Sequence, residues 1–410
     1  AKGNAMLLTA LVVIVILGFL LEEVLGFLNQ RAARQPLDPE IAQLYDEAER
    51  QRSIDYGAAR YRVGLLASSV STAALVAALA FGWLADLDAW VRGLVTNEIA
   101  VSLLFIAGVV AIRWLLSLPF ELYSLFAVEV RFGFNTTTWR TFVTDTIKSA
   151  VLTSVIGGSV LAVILWLYLQ LGDQFWLATW LVITGVLLFM VMFGNSLILP
   201  LFNKLTPVPQ GELRDRIVAY CRGQGYAIGK LSVMDGSRRS TKANAFFAGL
   251  GRTKLIVLFD TLVEKLSTDE IVAVLAHEVG HYKRKHSLSL FVLLCAELFA
   301  MLALLGWLLR YPAMSEALGA ARPSFHLAAF VFFLLYTPLG MLQGLLNNSI
   351  SRRREFEADR FALRTHSVEA LAGALRKIAI DSLDNLNPHP WYVRFNYNHP
   401  PLKERLHALT

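Results

Sequence analysis

Seven stretches of this chain are long and apolar enough to cross a bilayer, approximately residues 6–28, 64–85, 99–126, 149–171, 175–202, 287–309 and 326–348. No water satisfies backbone N–H and C=O groups inside a membrane, so segments of this kind cross it as helices. A length of 410 residues would otherwise suggest two or three soluble domains, but 55% hydrophobic and only 17% charged residues fit a polytopic membrane protein. The first run is too long for a signal-peptide h-region, lacks a small-residue cleavage site at its end and carries Glu22 and Glu23 instead. It therefore reads as a retained span.

Charge orients these spans. The loops 29–63, 127–148 and 203–286 and the tail from 349 carry 33 of the 38 Lys and Arg residues. The other side holds only Lys2, Arg92, Arg310 and Arg322, while Arg113 lies within a span. The positive-inside rule then puts the N-terminus outside and both large polar regions in the cytoplasm. The net charge of +6 is absorbed by that orientation, and no basic–aromatic nucleic-acid module is present. The two cysteines, Cys221 and Cys295, fall in unlike environments and read as packing residues. Arg113, Gln170, Asn195 and Gln343 lie within spans, where each either bonds a neighbouring helix or faces a hydrated interior. Four units follow: spans one to five with their loops (1–202), a polar segment (203–286), spans six and seven (287–348) and a cytoplasmic tail (349–410).

Chemistry enters at Ala276-His277-Glu278-Val279-Gly280-His281, about one helical turn before the sixth span. Histidines at i and i+4 share a helix face, where two imidazoles can grip one zinc ion. The glutamate between them can act as general base on a water at that metal, a peptidase signature. H-E-x-x-H turns up by chance in on the order of one in a hundred chains of this size, so its surroundings must carry the argument. Ser267-Thr268-Asp269-Glu270 has the form of a capping box and opens the helix. No proline interrupts the pattern from Thr268 to Leu309, which predicts one continuous helix roughly 60 Å long.

Upstream, residues 203–286 read as a small α/β module. Glu212 to Cys221 has helical spacing, and 231–234, 244–247 and 255–259 have strand patterns, with a glycine turn at 249–251. The strand at Asn244-Ala245-Phe246-Phe247 either pairs with an extended substrate backbone or belongs to an ordinary hairpin. A catalytic zinc needs a third protein ligand and an open position. Glu355 and Asp359 lie beyond the last span, four residues apart on one helical face. Glu355 is the candidate third ligand, and Asp359 the carboxylate that orients a zinc histidine. Glu357 is expected on another face, solvated, while His286 and His366 rank below Glu355 as ligands. Arg352 to Arg354 are read as anchors to anionic headgroups. Near the C-terminus, His399 precedes Pro400 and Pro401 on a stiff turn, from which it can donate to a developing oxyanion. Arg405 is placed to hold substrate or a nearby carboxylate.

Taken in this order, the residues closely resemble the CAAX prenyl protease 1 family of integral-membrane zinc metalloproteases. The likeness spans almost the whole chain: the zinc motif between spans five and six, Glu355-x-x-x-Asp359 after span seven, and His399-Pro-Pro through Arg405. It also includes Leu118-Pro119-Phe120-Glu121-Leu122-Tyr123 with Glu129 and Gly133-Phe134-Asn135, and the strand pair from Asn244 to Leu262. The resemblance implies seven helices forming a hollow bundle around a water-filled chamber, with a small α/β zinc-protease domain on the cytoplasmic side. It implies His277, His281 and Glu355 as ligands of one zinc, Glu278 as base, Asp359 in support, and Asn244, His399 and Arg405 around the substrate.

The sequence thus reads as a zinc endopeptidase of a bilayer-embedded kind, acting on peptide or protein substrates, with prenylated CAAX proteins as the class implied. Ala245 and Phe246 join Asn244 as substrate-aligning residues. The enzyme alternative is a quality-control endopeptidase for membrane or lipid-modified proteins. The non-enzyme alternative is a seven-span transporter or receptor with an incidental motif, which is disfavoured because its functional residues belong at the bilayer midplane.

Overall fold

The computed structural model describes residues 2–43, 46–248 and 254–409. Six helical stretches are long and apolar enough to cross a membrane: Gly3–Ala33, Glu47–Ala80, Glu98–Arg131, Trp139–Phe202, His286–Leu308 and Phe325–Thr365. The fourth is compound. Gly172, at φ +52°, separates a helix Trp139–Leu171 from a helix Phe175–Phe189 within it.

Several helices outrun the apolar runs that predict them. The second begins at Glu47, capped by Asp46, whose side chain accepts from Glu49 N at 2.7 Å. Its polar first turns are good helix formers, which hydropathy alone does not register. Likewise Phe325–Thr365 continues without a break from apolar sequence into the polar stretch that carries Glu355 and Asp359.

Tight packing gathers at one end of the bundle. Leu11, Leu79, Phe105, Phe175, Leu305, Leu327 and Phe332 form one buried cluster there. Beside it, Ser102 Oγ lies 2.9 Å from His326 Nδ1, and His326 Nε2 lies 2.8 Å from Asp88 Oδ1. These residue types also make hydrolase triads, but all three are buried and Asp88 is held by Arg92, so this is a clamp between helices. The accessible surface of 21611 Å² exceeds by about a third the roughly 16,000 Å² expected of a compact chain of this mass.

After the fourth helical stretch the chain forms a four-stranded sheet of β1 (Leu205–Pro207), β2 (Lys230–Met234), β3 (Ala245–Ala248) and β4 (Leu255–Phe259), in the order β1-β2-β4-β3. β2 and β4 run parallel, and the two edge strands pair antiparallel. The predicted turn at 249–251 lies outside the described residues. β4 is buried on both faces, as its unbroken Leu-Ile-Val-Leu-Phe sequence requires. Ile256 and Leu258 pack with Ile271, Val272, Leu275 and Val279, whereas Leu255 and Val257 pack toward Met234 and Leu199. Cys221 lies in the first of these clusters, and both cysteines are free thiols.

The motif helix is Thr268–Lys283, opened by a complete capping box of Ser267 and Glu270. It does not run on to Leu309 as predicted. Lys285 takes a left-handed conformation at φ +56°, and a new helix starts at His286. Tertiary contacts override the local pattern: the break folds His286 back against His281 and the long helix.

Candidate metal centre

Three faces of the motif helix serve three purposes, because apolar and histidine positions repeat every three or four residues. Leu275 and Val279 face the sheet, while Ala273 and Ala276 pack with Leu371, Leu406 and Leu409. His277 and His281 are left on the third. Gly280 sets how close the long helix can come. A Cβ there would sit 3.1 Å from both the Cα and the backbone oxygen of Ala358. Ala358 lies three residues after Glu355, so this contact fixes the spacing between the candidate ligands of two helices. Gly280→Val should therefore lower turnover about 100-fold and reduce metal content, since backbone atoms cannot yield as a flexible side chain does. Metal analysis alongside a rate measurement checks this; a variant with both unchanged contradicts it.

His277, His281 and Glu355 converge. His277 Nε2 lies 3.2 Å from His281 Nε2 and 3.3 Å from Glu355 Oε2, and His281 Nε2 lies 3.1 Å from Glu355 Oε1. Ligands 2.0–2.1 Å from a tetrahedral zinc are separated by about 3.3 Å, so these distances fit that ion. Glu355 Oε2 is buried without a well-aligned hydrogen bond, although His399 Nδ1 lies 2.7 Å away. A bound cation would satisfy that oxygen.

Asp359 stands behind His277. Its Oδ1 is 2.7 Å from His277 Nδ1, which leaves Nε2 toward the ligand cluster. Arg405 donates to both oxygens of Asp359, from Nε at 2.9 Å and Nη2 at 2.6 Å. Burial alone would lower the pKa of His277, but hydrogen bonds to Asp359 and Glu355 outweigh it and push the imidazole up to about 9. Asp359, on the Nδ1 side, makes the imidazole a stronger donor to a metal through Nε2.

Glu278 is half-buried, and no hydrogen bond among the described residues engages its carboxylate. The His399 ring is 60% exposed, beside Glu355. Asn244 is exposed just ahead of β3, with Phe259 N donating to its backbone oxygen at 3.1 Å. Ala245 and Phe246 pair with Leu258 and Val257 of β4, and β3 has no strand on its other side among the described residues.

One expectation needs correcting. Glu357 is not simply solvated: its Oε2 lies 3.2 Å from His286 Nε2. His286 does not compete for the metal position but meets His281, Nδ1 to Nδ1, at 3.0 Å. His366 contacts the backbone oxygen of Asp269 instead. Sequence spacing missed the His286–Glu357 pair because it arises from the break at Lys285. Nearby, a cavity of about 740 Å³ is lined by residues including Tyr56, Arg60, Lys242, Asp384 and Tyr397. Tyr397, two residues before His399 in the chain, is one of its lining residues.

Family models match nearly the whole chain. Residues 26–204 match the CAAX prenyl protease N-terminal model, described as five membrane helices, and residues 207–410 match peptidase family M48. A CAAX prenyl protease 1 homolog of Oryza sativa is 36% identical over 316 residues, covering 76% of this chain and 74% of that protein. CAAX prenyl protease 1 of Saccharomyces cerevisiae is 35% identical over 341 residues, covering 78% and 74%. The human homolog is 30% identical over 351 residues, covering 76% and 74%. The crystal structure of S. mikatae Ste24p superposes with a TM-score of 0.94 at 29% identity, over 98% of this chain and 99% of that one.

Proposed function

The chain belongs to the CAAX prenyl protease 1 family of M48 peptidases, and from that premise we propose that it removes the C-terminal tripeptide of prenylated CAAX-type substrates, using one zinc ion held by His277, His281 and Glu355. It is a membrane metalloendopeptidase. The observation that carries the metal assignment is the convergence of His277, His281 and Glu355: the two Nε2 atoms lie 3.2 Å apart, and the Glu355 carboxylate reaches His277 with Oε2 at 3.3 Å and His281 with Oε1 at 3.1 Å.

A zinc ion held by His277, His281 and Glu355 would supply Lewis acidity for the scissile carbonyl and for an attacking water near neutral pH. Glu278 takes a proton from the attacking water and passes it to the leaving amine as the C–N bond breaks. Its carboxylate, without a hydrogen bond among the described residues and one residue from a ligand, suits that shuttle. His399, with its exposed ring beside Glu355, donates to the oxyanion that develops on the carbonyl. Asp359 holds His277 in the ligand tautomer, and Arg405, clamped on both oxygens of Asp359, keeps that carboxylate in place. A peptide laid along the free edge of β3, past Asn244, Ala245 and Phe246, gains backbone hydrogen bonds that align it.

In this reading the compound stretch Trp139–Phe202 is two crossings, which makes seven spans in all. The excess surface supports a hollow interior, and Arg113, Gln170 and Asn195, all exposed within spans, suit a hydrated one. The distribution of Lys and Arg supports an outside N-terminus, with the sheet and metal centre at the cytoplasmic face.

The test uses detergent-purified enzyme, a farnesylated CAAX peptide and its unprenylated twin, with products mapped by mass spectrometry. Cleavage after the prenyl-cysteine, at least tenfold faster with the lipid, is expected. Equal cleavage of both peptides, or scattered cuts, would replace this substrate class with a quality-control role.

A further inference from the structure

The two ring nitrogens of His281 face different partners. Nε2 points into the ligand cluster, while Nδ1 lies 3.0 Å from Nδ1 of the buried His286. His286 Nε2 in turn lies 3.2 Å from Glu357 Oε2. When His281 gives its Nε2 lone pair to a metal, its proton must sit on Nδ1. That proton is donated to the Nδ1 lone pair of His286, whose own proton then sits on Nε2 and is donated to Glu357. Every contact in the chain is satisfied by this arrangement. Moving the His281 proton to Nε2 would block the ligand position and leave two lone pairs facing each other at 3.0 Å.

The backbone is shaped to make this contact. In an unbroken helix, five residues turn through about 140°, so His286 would point away from His281. The left-handed Lys285, a conformation that side-chain-bearing residues rarely adopt, brings it back. Arg354, on the long helix, donates from Nη1 to the backbone oxygen of His286 at 3.4 Å.

We propose that His286 and Glu357 are positioning residues for the metal ligand His281, forming an imidazole–imidazole–carboxylate chain that fixes its tautomer and strengthens its Nε2 as a donor. His277 receives the same support directly from Asp359; His281 receives it through one intervening ring. The proposal rests on the zinc reading of His277, His281 and Glu355.

The experiment measures zinc affinity by chelator competition on the full-length enzyme, together with the visible absorption of its cobalt-loaded form. His286→Leu keeps bulk but cannot accept a hydrogen bond, and should weaken zinc binding about 10- to 100-fold and shift the cobalt bands. His286→Asn retains an accepting oxygen and should recover most of the loss. Glu357→Ala, at a side chain that is 25% exposed, should fold normally, weaken binding less, and add nothing once His286 is Leu. Melting of the metal-free variants separates folding from metal binding, and Glu357→Ala decides the question even where His286→Leu fails to fold. Wild-type affinity and cobalt bands in Glu357→Ala would overturn the proposal. So would equal losses in the Leu and Asn variants. Wild-type enzyme that binds no zinc would instead overturn the metal reading beneath it.

Discussion

Glu278→Ala should reduce kcat by about 10²- to 10⁴-fold while leaving one metal ion bound and KM little changed. Glu278 is on the motif helix between the two histidines, yet its carboxylate makes no hydrogen bond among the described residues and supports no neighbouring element. Truncating it therefore removes the proton acceptor and little else. Rate, metal content and melting temperature measured on one preparation check this. Turnover within a few fold of wild type would take the general-base role away from Glu278, and metal loss would show that the residue supports the site structurally.

Glu355→Ala should abolish activity by a different route, weakening zinc binding by more than about 100-fold, beyond what loss of a supporting residue costs. Glu355 is buried on the long helix and meets His277, His281 and His399, so its removal takes away one proposed ligand and leaves the two imidazoles without their shared carboxylate. The contrast between the two variants is diagnostic: Glu278→Ala is inactive with metal, Glu355→Ala inactive without it. A Glu355→Ala enzyme with full metal content would remove Glu355 from the ligand set.

Local spacing carried most of the site. His277 with His281, and Glu355 with Asp359, are each four residues apart on a helix, so their shared faces follow from helical period alone. Their meeting across two helices does not. It depends on the close approach at Gly280, which spacing does not reveal. The strand patterns at 231–234, 244–247 and 255–259 fall within a residue of β2, β3 and β4, because β-branched and aromatic runs mark buried strands. β1, three residues long, was too short to show a period. The break at Lys285 was invisible for a physical reason. Neither glycine nor proline marks it, and a lysine is held in a left-handed conformation only by tertiary contacts. The role of Glu357 was hidden with it, since that residue finds its partner only after the chain has turned.

Anomalous diffraction from crystals of the enzyme, recorded on both sides of the zinc absorption edge, tests the central claim most directly. The account predicts one peak, about 2.0–2.1 Å from His277 Nε2, from His281 Nε2 and from a carboxylate oxygen of Glu355. No peak at that position, or a zinc ion bound instead through His286 or His366, would contradict it.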